Sequence, residues 1–309
     1  MPTRFTLRQL EYFVAVGESG SVSQAAEKMN VSPPSVSASI QQLESEFGIQ
    51  FFVRKHAQGL TLTSGGRQFL TRAKEMLVSA EGLSSFASDI SSKVGGPLHI
   101  GCLTTVAPVI LPEVRQQFQH RYGDVEVRQI EADQAQLLDR LQSAELDVCL
   151  TYDLGIPANL QFVPLVELPT FVMLPPSHRL AGDGGIAPEQ LIDEPMVLLD
   201  LPISNDYFLS AFRTAGLKPV IAERSQDLAL VRSMVANGYG YSLANIRARG
   251  DISPDGKPLK YVPLLGGLRS LRLGLVYGRE GKRRQVVQAF VDHCREMINA
   301  TSVPGMTLV

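Results

Sequence analysis

Residues 21–48 read SVSQAAEKMNVSPPSVSASIQQLESEFG, and this stretch decides the fold of the N-terminal part of the chain. Ser21 suits an N-cap, and Gln24 stands at the capping-box position of a helix over Val22–Met29. Ala25 and Ala26 are small enough for another helix to cross that one closely. Asn30-Val31 makes a tight turn, and Ser32-Pro33 reads as a second N-cap with proline in the first helical position. The helix that follows runs to about Phe47 and ends at Gly48. Val36, Ile40, Leu43 and Phe47 are spaced 4, 3 and 4 residues apart and form its expected buried stripe. Pro34, Ala38, Gln41, Gln42 and Ser45 fall on the opposite face. A solvated helix face normally carries Lys and Glu; this one is small and uncharged, as a surface lying in a DNA groove would be.

Upstream, Leu7, Leu10, Phe13 and Val14 form a helical stripe, which Gly17 and Gly20 are expected to break. Downstream, FFVRKHAQGLTLT (51–63) reads as two short strands around a polar turn from His56 to Gly59. Two helices at a tight turn, a capped third helix and a hairpin are the parts of a winged helix-turn-helix. A fourth helix begins near Thr63 or Ser64 and extends to about Ser92. Along it Phe69, Ala73, Met76, Ala80, Leu83, Ala87 and Ile90 alternate spacings of 4 and 3. Such a seam predicts pairing with the same helix of a second copy. Packing on the helix's own domain is the alternative, and would give a wider stripe.

Charge adds a constraint. The 309-residue chain has net charge −2; residues 1–93 carry nine Lys/Arg against eight Asp/Glu. A nearly neutral DNA-binding module must rely on a few well-placed cations and on backbone donors. With 44% hydrophobic residues the chain has ample core. No apolar run approaches the ~18 residues of a membrane span, and MPTRFTLRQLEYF lacks the features of a signal peptide, so a cytoplasmic location and no membrane partner are expected. Cys102, Cys149 and Cys294 are far apart, which argues against disulfides and a zinc site. Cys102 and Cys149 fall on expected strands of one sheet and read as core. Gly17-Glu18-Ser19-Gly20 falls short of a nucleophile motif, HExxH, P-loop and GxGxxG motifs are missing, and the five histidines are scattered. No enzyme, metal or cofactor is expected.

Beyond Lys93-Val94-Gly95-Gly96-Pro97, a hinge by composition, strands and helices alternate. Leu98–Leu103, Val125–Ile130 and Val148–Tyr152 read as strands, with helices over Val106–Tyr122 and Gln136–Ser143 between them. A second unit places strands at Phe171–Leu174, Met196–Leu199, Val220–Glu223 and Tyr241–Ala244, with helices over Ser204–Ala215 and Leu228–Asn237. The chain returns through Leu271–Tyr277 to a last helix, Gln285–Ile298. The alternation argues for parallel sheets covered by helices. The whole is then an α+β two-part chain. It comprises a mainly helical winged helix-turn-helix (1–63), a long dimerisation linker helix and hinge (64–93), and a two-lobed α/β domain resembling periplasmic binding proteins (94–309). Lobe I spans about 97–164 and 268–301, lobe II about 165–267, with a ligand cleft between them.

Over its full length the chain resembles the LysR-type transcriptional regulators. The matching elements are Ser23-Gln24-Ala25-Ala26, Ser32-x-Pro34-x-Val36-Ser37, Leu43-Glu44, Gly48, Phe52-x-Arg54 and Leu62-Thr63-x-x-Gly66. Leu111-Pro112, Glu145-Leu146-Asp147 and Val235-Ala236-Asn237-Gly238-Tyr239-Gly240 match more loosely; the Leu-Pro usual after that last motif is replaced by Ala244-Asn245. The resemblance implies homodimers through the linker helix, often assembled into tetramers, a small-molecule effector, and double-stranded DNA as partner. RNA polymerase is a further candidate partner. Pairing two copies makes an inverted-repeat operator the natural target.

The resemblance also sets Ser32, Pro34, Ser35, Ser37, Ala38 and Gln41 nearest the DNA, with Ala38 where many members carry arginine. Arg54, Lys55 and His56 are the wing cations placed for the backbone or a narrow minor groove; an ion pair of Arg54 with Glu44 or Glu46 is the alternative. Effector residues are expected in three places: Thr104-Thr105, Asp133-Gln134 and Ser204-Asn205. Hydroxyls and N–H groups at a helix start favour an anion there. Asp133 would repel a simple anion and points to an amphoteric or amine-bearing ligand, unless it only caps the helix that follows. The segment from Leu199 to Asn205 lacks the cysteine pair of the family's peroxide sensors. A competing reading keeps binding without regulation, as an architectural DNA binder or a solute binder.

Overall fold

The computed structural model describes residues 4–55, 59–90, 94–182, 184–248, 250–266, 268–278 and 284–298. Of Arg54, Lys55, Ala87 and Ile90 only the backbone is described, and His56 lies outside the described residues. The chain divides into two compact units, Met1–Ala87 and Ser88–Val309.

The first unit contains α1 (Leu7–Ser19), α2 (Val22–Lys28), α3 (Pro33–Phe47), the hairpin β1 (Phe52–Lys55) and β2 (Gly59–Leu62), and the start of α4 (Ser64–Ile90). Thr6 and Gln9 form a capping box on α1, and Ser21 and Ser32 cap α2 and α3 through Gln24 N and Ser35 N. The turn between α2 and α3 puts Asn30 at φ +52°, a conformation that asparagine tolerates better than most residues. Ala25 and Ala26 are fully buried where the helices cross.

Two stripes differ from the sequence expectation. Leu7 is exposed and Val14 half-buried, so the buried face of α1 is Leu10, Phe13 and Val16. Gly17 does not interrupt α1; a Cβ there would meet Leu70 at 3.1 Å, so the glycine makes room for that side chain. The helix ends instead at Gly20, in the left-handed region at φ +65°. On α3, Val36, Ile40 and Leu43 are buried, while Phe47 lies at the rim with its ring 4.9 Å from that of Phe69.

The long helix requires the larger correction. Phe69 stacks on Phe51 at 4.3 Å and meets Phe13 edge-on at 5.1 Å, and Ala73 is buried in the same core. Burying a phenylalanine contributes about 1.5–3 kcal/mol, which is why the folded unit takes these two residues for itself. The first two seam positions therefore serve this unit's own core.

In the second unit, lobe I is a five-stranded sheet of order β4-β3-β5-β12-β6, built from β3 (Gly96–Leu103), β4 (Val125–Ala132), β5 (Val148–Tyr152), β6 (Gln161–Leu168) and β12 (Leu271–Tyr277). β3 is parallel to β4 and β5, but β12 runs antiparallel to β5 and β6, so the sheet is mixed rather than parallel. The returning chain enters the sheet from the opposite end, which reverses that strand. α5 (Ala107–Arg121), α6 (Gln134–Gln142) and α9 (Gln285–Met297) cover it; Phe118 of α5 meets Phe290 of α9 edge-on at 5.1 Å.

Lobe II repeats this plan. β7 (Phe171–Leu174) sits between β10 (Ser242–Ala244) and β11 (Lys260–Pro263), antiparallel to both, and β8 (Pro195–Leu199) is parallel to β9 (Val220–Ser225). A bridge between Met196 and Tyr241 joins the two pieces. It depends on Gly240, where a Cβ would stand 2.0 Å from Pro195 O. α7 (Ser204–Thr214) and α8 (Leu228–Ala236) complete the lobe. The chain crosses between lobes at Pro169-Thr170 and again between β11 and β12. The strands β6 and β11, one before each crossing, are not anticipated by the alternating pattern.

Candidate DNA-recognition face and ligand cleft

The candidate recognition face is carried by α3 and its cap. Ser32 Oγ lies 2.8 Å from Ser35 Oγ and accepts from Ser35 N, so the first serine builds the helix start. Pro34, Ser35, Ala38 and Gln41 are exposed and Ser37 is half-buried. Gln42, on the same face, is engaged: its Oε1 accepts a hydrogen bond from Gln9 Nε2 of α1 at 2.8 Å. Glu44 holds the wing, accepting from Phe51 N at 2.7 Å and Phe52 N at 3.2 Å. Glu46 faces Arg4 at 3.8 Å. Both acids proposed as alternative partners of Arg54 thus have other work. Arg54 pairs with Leu60 and Lys55 with Gly59 in the wing ladder. Along α4, Met76 and Leu83 are 46% and 70% exposed and Ala80 is half-buried, so the described part of the seam open to a partner begins at Met76.

The second site lies between the lobes. An outer cleft of about 410 Å³ is walled by Thr104, Thr105, Pro108 and Val109 of lobe I and by Asp227, Leu228, Arg232 and Ile246, among others, of lobe II. An inner recess of about 20 Å³, the space of a single water-sized group, shares Thr105, Leu228 and Ile246 with it. Its remaining wall includes Gln134, Tyr152, Ser204, Phe208 and Asn245.

The six effector candidates separate here. Thr104 and Thr105 face the outer cleft, and Thr105 hydrogen-bonds the buried Tyr152 phenol, whose pKa burial pushes up to about 12. Gln134 and Ser204 line the recess. Asp133 does not line either cavity; its carboxylate accepts from Gln136 N at 3.0 Å and caps α6. Asn205 is also absent from both walls, donating through Nδ2 to Asp200 Oδ1 at 2.7 Å. Asp133 and Asn205 thus bond within the fold, because a short polar side chain at a helix start finds the chain's own N–H or carboxylate first. Ile203, just before Ser204, holds φ +69° and ψ −48°, a positive-φ turn conformation that β-branched residues rarely adopt.

Sequence reasoning missed Tyr152, Phe208, Leu228, Arg232 and Asn245. Only Asn245 left a trace, as the departure from the usual Leu-Pro. It is the centre of a network at the crossings: its Nδ2 donates to Leu168 O at 3.2 Å and Thr170 Oγ1 at 3.0 Å. Tyr207 donates to Arg269 O at 2.7 Å, which leaves its oxygen to accept from Thr170, 2.9 Å away. Asp153 accepts from Arg269 and Arg272. These two arginines hold its carboxyl below the usual range, against the opposing effect of burial.

Cys102, Cys149 and Cys294 are buried and unpaired, and burial pushes each thiol up, away from the reactive thiolate. Among the described residues no group of three or more His, Cys, Asp or Glu is placed to hold a metal, and no helix is long and apolar enough to cross a membrane.

Two family models match, covering both sites. Residues 7–67 match the bacterial regulatory helix-turn-helix protein, lysR family, and residues 91–299 match the LysR substrate binding domain. The chain belongs to the LysR family of transcriptional regulators. It is a DNA-binding regulator with a C-terminal domain for a small-molecule effector. HinK, a LysR family regulator of Pseudomonas aeruginosa, is 33% identical with TM-score 0.64 over 96% of this chain and 99% of its own. A further P. aeruginosa structure, the PA01 protein (a putative LysR family regulator), is 33% identical with TM-score 0.63, covering 96% and 100%. The Escherichia coli dual regulator OxyR is 29% identical over 274 residues, 88% of each chain. All three thiols of this LysR chain are buried.

Proposed function

We propose that this LysR regulator works in the cytoplasm, without catalysis, as a dimer that reads an inverted-repeat operator and responds to a small molecule held between its lobes. The observation that carries the reading is the exposed, uncharged face of α3: Pro34, Ser35, Ala38 and Gln41 standing clear of the core on a rigidly capped helix. Serine and glutamine can contact phosphates or base edges, and Ala38 suits a thymine methyl. Ser32 and Ser37 set the start and flank of that face, and Arg54 and Lys55 supply the wing cations.

One nearly neutral module has few cations with which to displace counterions, so a single copy binds weakly. Pairing two copies raises the effective concentration of the second and multiplies affinity without new contacts. Met76, Ala80 and Leu83, continued by Ala87 and Ile90, are the surface assigned to that pairing. Tetramers and contact with RNA polymerase would extend the same assembly. Thr104, Thr105, Gln134 and Ser204 are the retained effector residues. Closure of the lobes on a ligand would move the crossings and change the spacing of the DNA-binding pairs.

The test is selection of bound duplexes from a random pool by the full-length protein. A two-fold symmetric pair of half-sites is expected. The double variant Met76→Asp, Leu83→Asp should halve the mass seen by light scattering and weaken binding to the selected duplex by about 100-fold. Enrichment of an asymmetric site, or an unchanged mass, would contradict the dimer.

A further inference from the structure

We propose that the effector presents a neutral hydrogen-bond donor head, a carboxamide N–H₂ or a hydroxyl, to the inner recess, held between Gln134 of lobe I and Asn245 of lobe II. The inference rests on the cleft being the effector site and concerns which chemistry it selects.

Two amide side chains line the recess, each almost wholly buried: Gln134 is 1% exposed and Asn245 3%. In each, the nitrogen is already committed. Gln134 Nε2 donates to Tyr152 O and Leu154 O, and Asn245 Nδ2 donates to Leu168 O and Thr170 Oγ1. These donations fix which end of each amide is which, leaving Gln134 Oε1 and Asn245 Oδ1 as the free ends. Both oxygens are buried, and among the described residues neither has a hydrogen-bond partner. A buried acceptor left unmet is costly, so the recess rewards a group that donates.

An anion finds the opposite. Several N–H groups at the helix starts around the cleft are spent on the chain itself. Thr104 N and Val106 N donate to Ala132 O and Leu103 O, and Pro108 has no N–H to give. Asn205 N and Asp206 N of α7 donate to Leu201 O and Asn205 Oδ1. Asp227 caps α8 with its own carboxylate. Arg232 is a cation on the outer cleft wall, outside the recess; its Nη2 donates to Gly250 O and Ile252 O, while among the described residues its buried Nε has no partner. The recess itself holds no charged side chain, so an ammonium head would be desolvated without a counterion. A neutral donor meets none of these costs.

The recess also explains how occupancy would be felt. Asn245 and Thr170 hold one crossing between the lobes, and Tyr207 joins Thr170 to Arg269 at the other. A donor on Asn245 Oδ1 therefore acts on the residues that tie the two lobes together.

Three probes of one shape separate the possibilities: 4-phenylbutanamide, its methyl ketone analogue with CH₃ for NH₂, and 4-phenylbutyrate. Ligand-observed NMR titration of the full-length chain should show the amide binding about tenfold more tightly than the ketone or the carboxylate. In Asn245→Leu that preference should fall to about twofold, with the variant's fold checked by circular dichroism. Equal binding of the amide and ketone in the unaltered chain, or preference for the carboxylate, overturns the donor assignment while leaving the cleft as effector site. Absence of binding by all three overturns both.

Discussion

The recognition face draws its exposed positions from one helix, whereas the ligand cleft collects its walls from strand ends, helix starts and loops of two lobes. On α3, periodicity and capping place Pro34, Ser35, Ala38 and Gln41 clear of the core, missing only that Phe47 lies at its rim, because neighbours in space are fixed by 3.6 residues per turn. In the cleft, neighbours in space are far apart in sequence, and a polar residue at a strand end has other uses. Asp133 and Asn205 show this: each lies at a helix start beside the cleft, and each is occupied by the chain itself. A local site can be read from its spacing, and an assembled one needs the fold.

The contrast can be broken most severely at Gly66. A Cβ there would lie 2.2 Å from Phe51 O, so Gly66→Ala forces α4 away from the strand that carries the wing. Overpacking against backbone should cost about 3 kcal/mol, seen as an early melting transition of the DNA-binding unit in calorimetry. The unit formed by Ser88–Val309 should melt unchanged; an unshifted first transition would show that the recognition face does not depend on this contact.

A gentler probe sharpens the other side. Asp133→Ala removes a helix cap and should cost about 1 kcal/mol of stability, read by chemical denaturation. Affinity for a cleft ligand should stay within about twofold, because an N-cap change of this size acts on folding alone. A large loss of affinity with stability intact would return Asp133 to the site.

The same physical distinction explains what else could be read in advance. The strands and helices of both lobes follow the alternating pattern closely, since each buries a face whose period is local. The reversed β12 and the added strands β6 and β11 were not legible, because strand direction and edge pairing depend on where the chain re-enters a sheet. Phe69 and Ala73 lie on the same heptad seam as Met76 and Leu83, yet the first pair is claimed by an aromatic cluster and the second stands exposed. Spacing alone assigns all four to one stripe; only the positions of Phe13 and Phe51 divide it. Asn245 was visible as a departure from a motif, but its role depends on a carbonyl and a hydroxyl more than seventy residues away in sequence.

The most direct test of the account places negative charge on the α3 face. In Ser35→Glu, Ala38→Glu, fluorescence anisotropy with the selected duplex should show affinity reduced by about 100-fold or more, since like charges brought together across an interface cost several kcal/mol. Circular dichroism and oligomeric mass should match the unaltered protein. Retention of full affinity by a folded variant would contradict the claim that this face of α3 reads DNA.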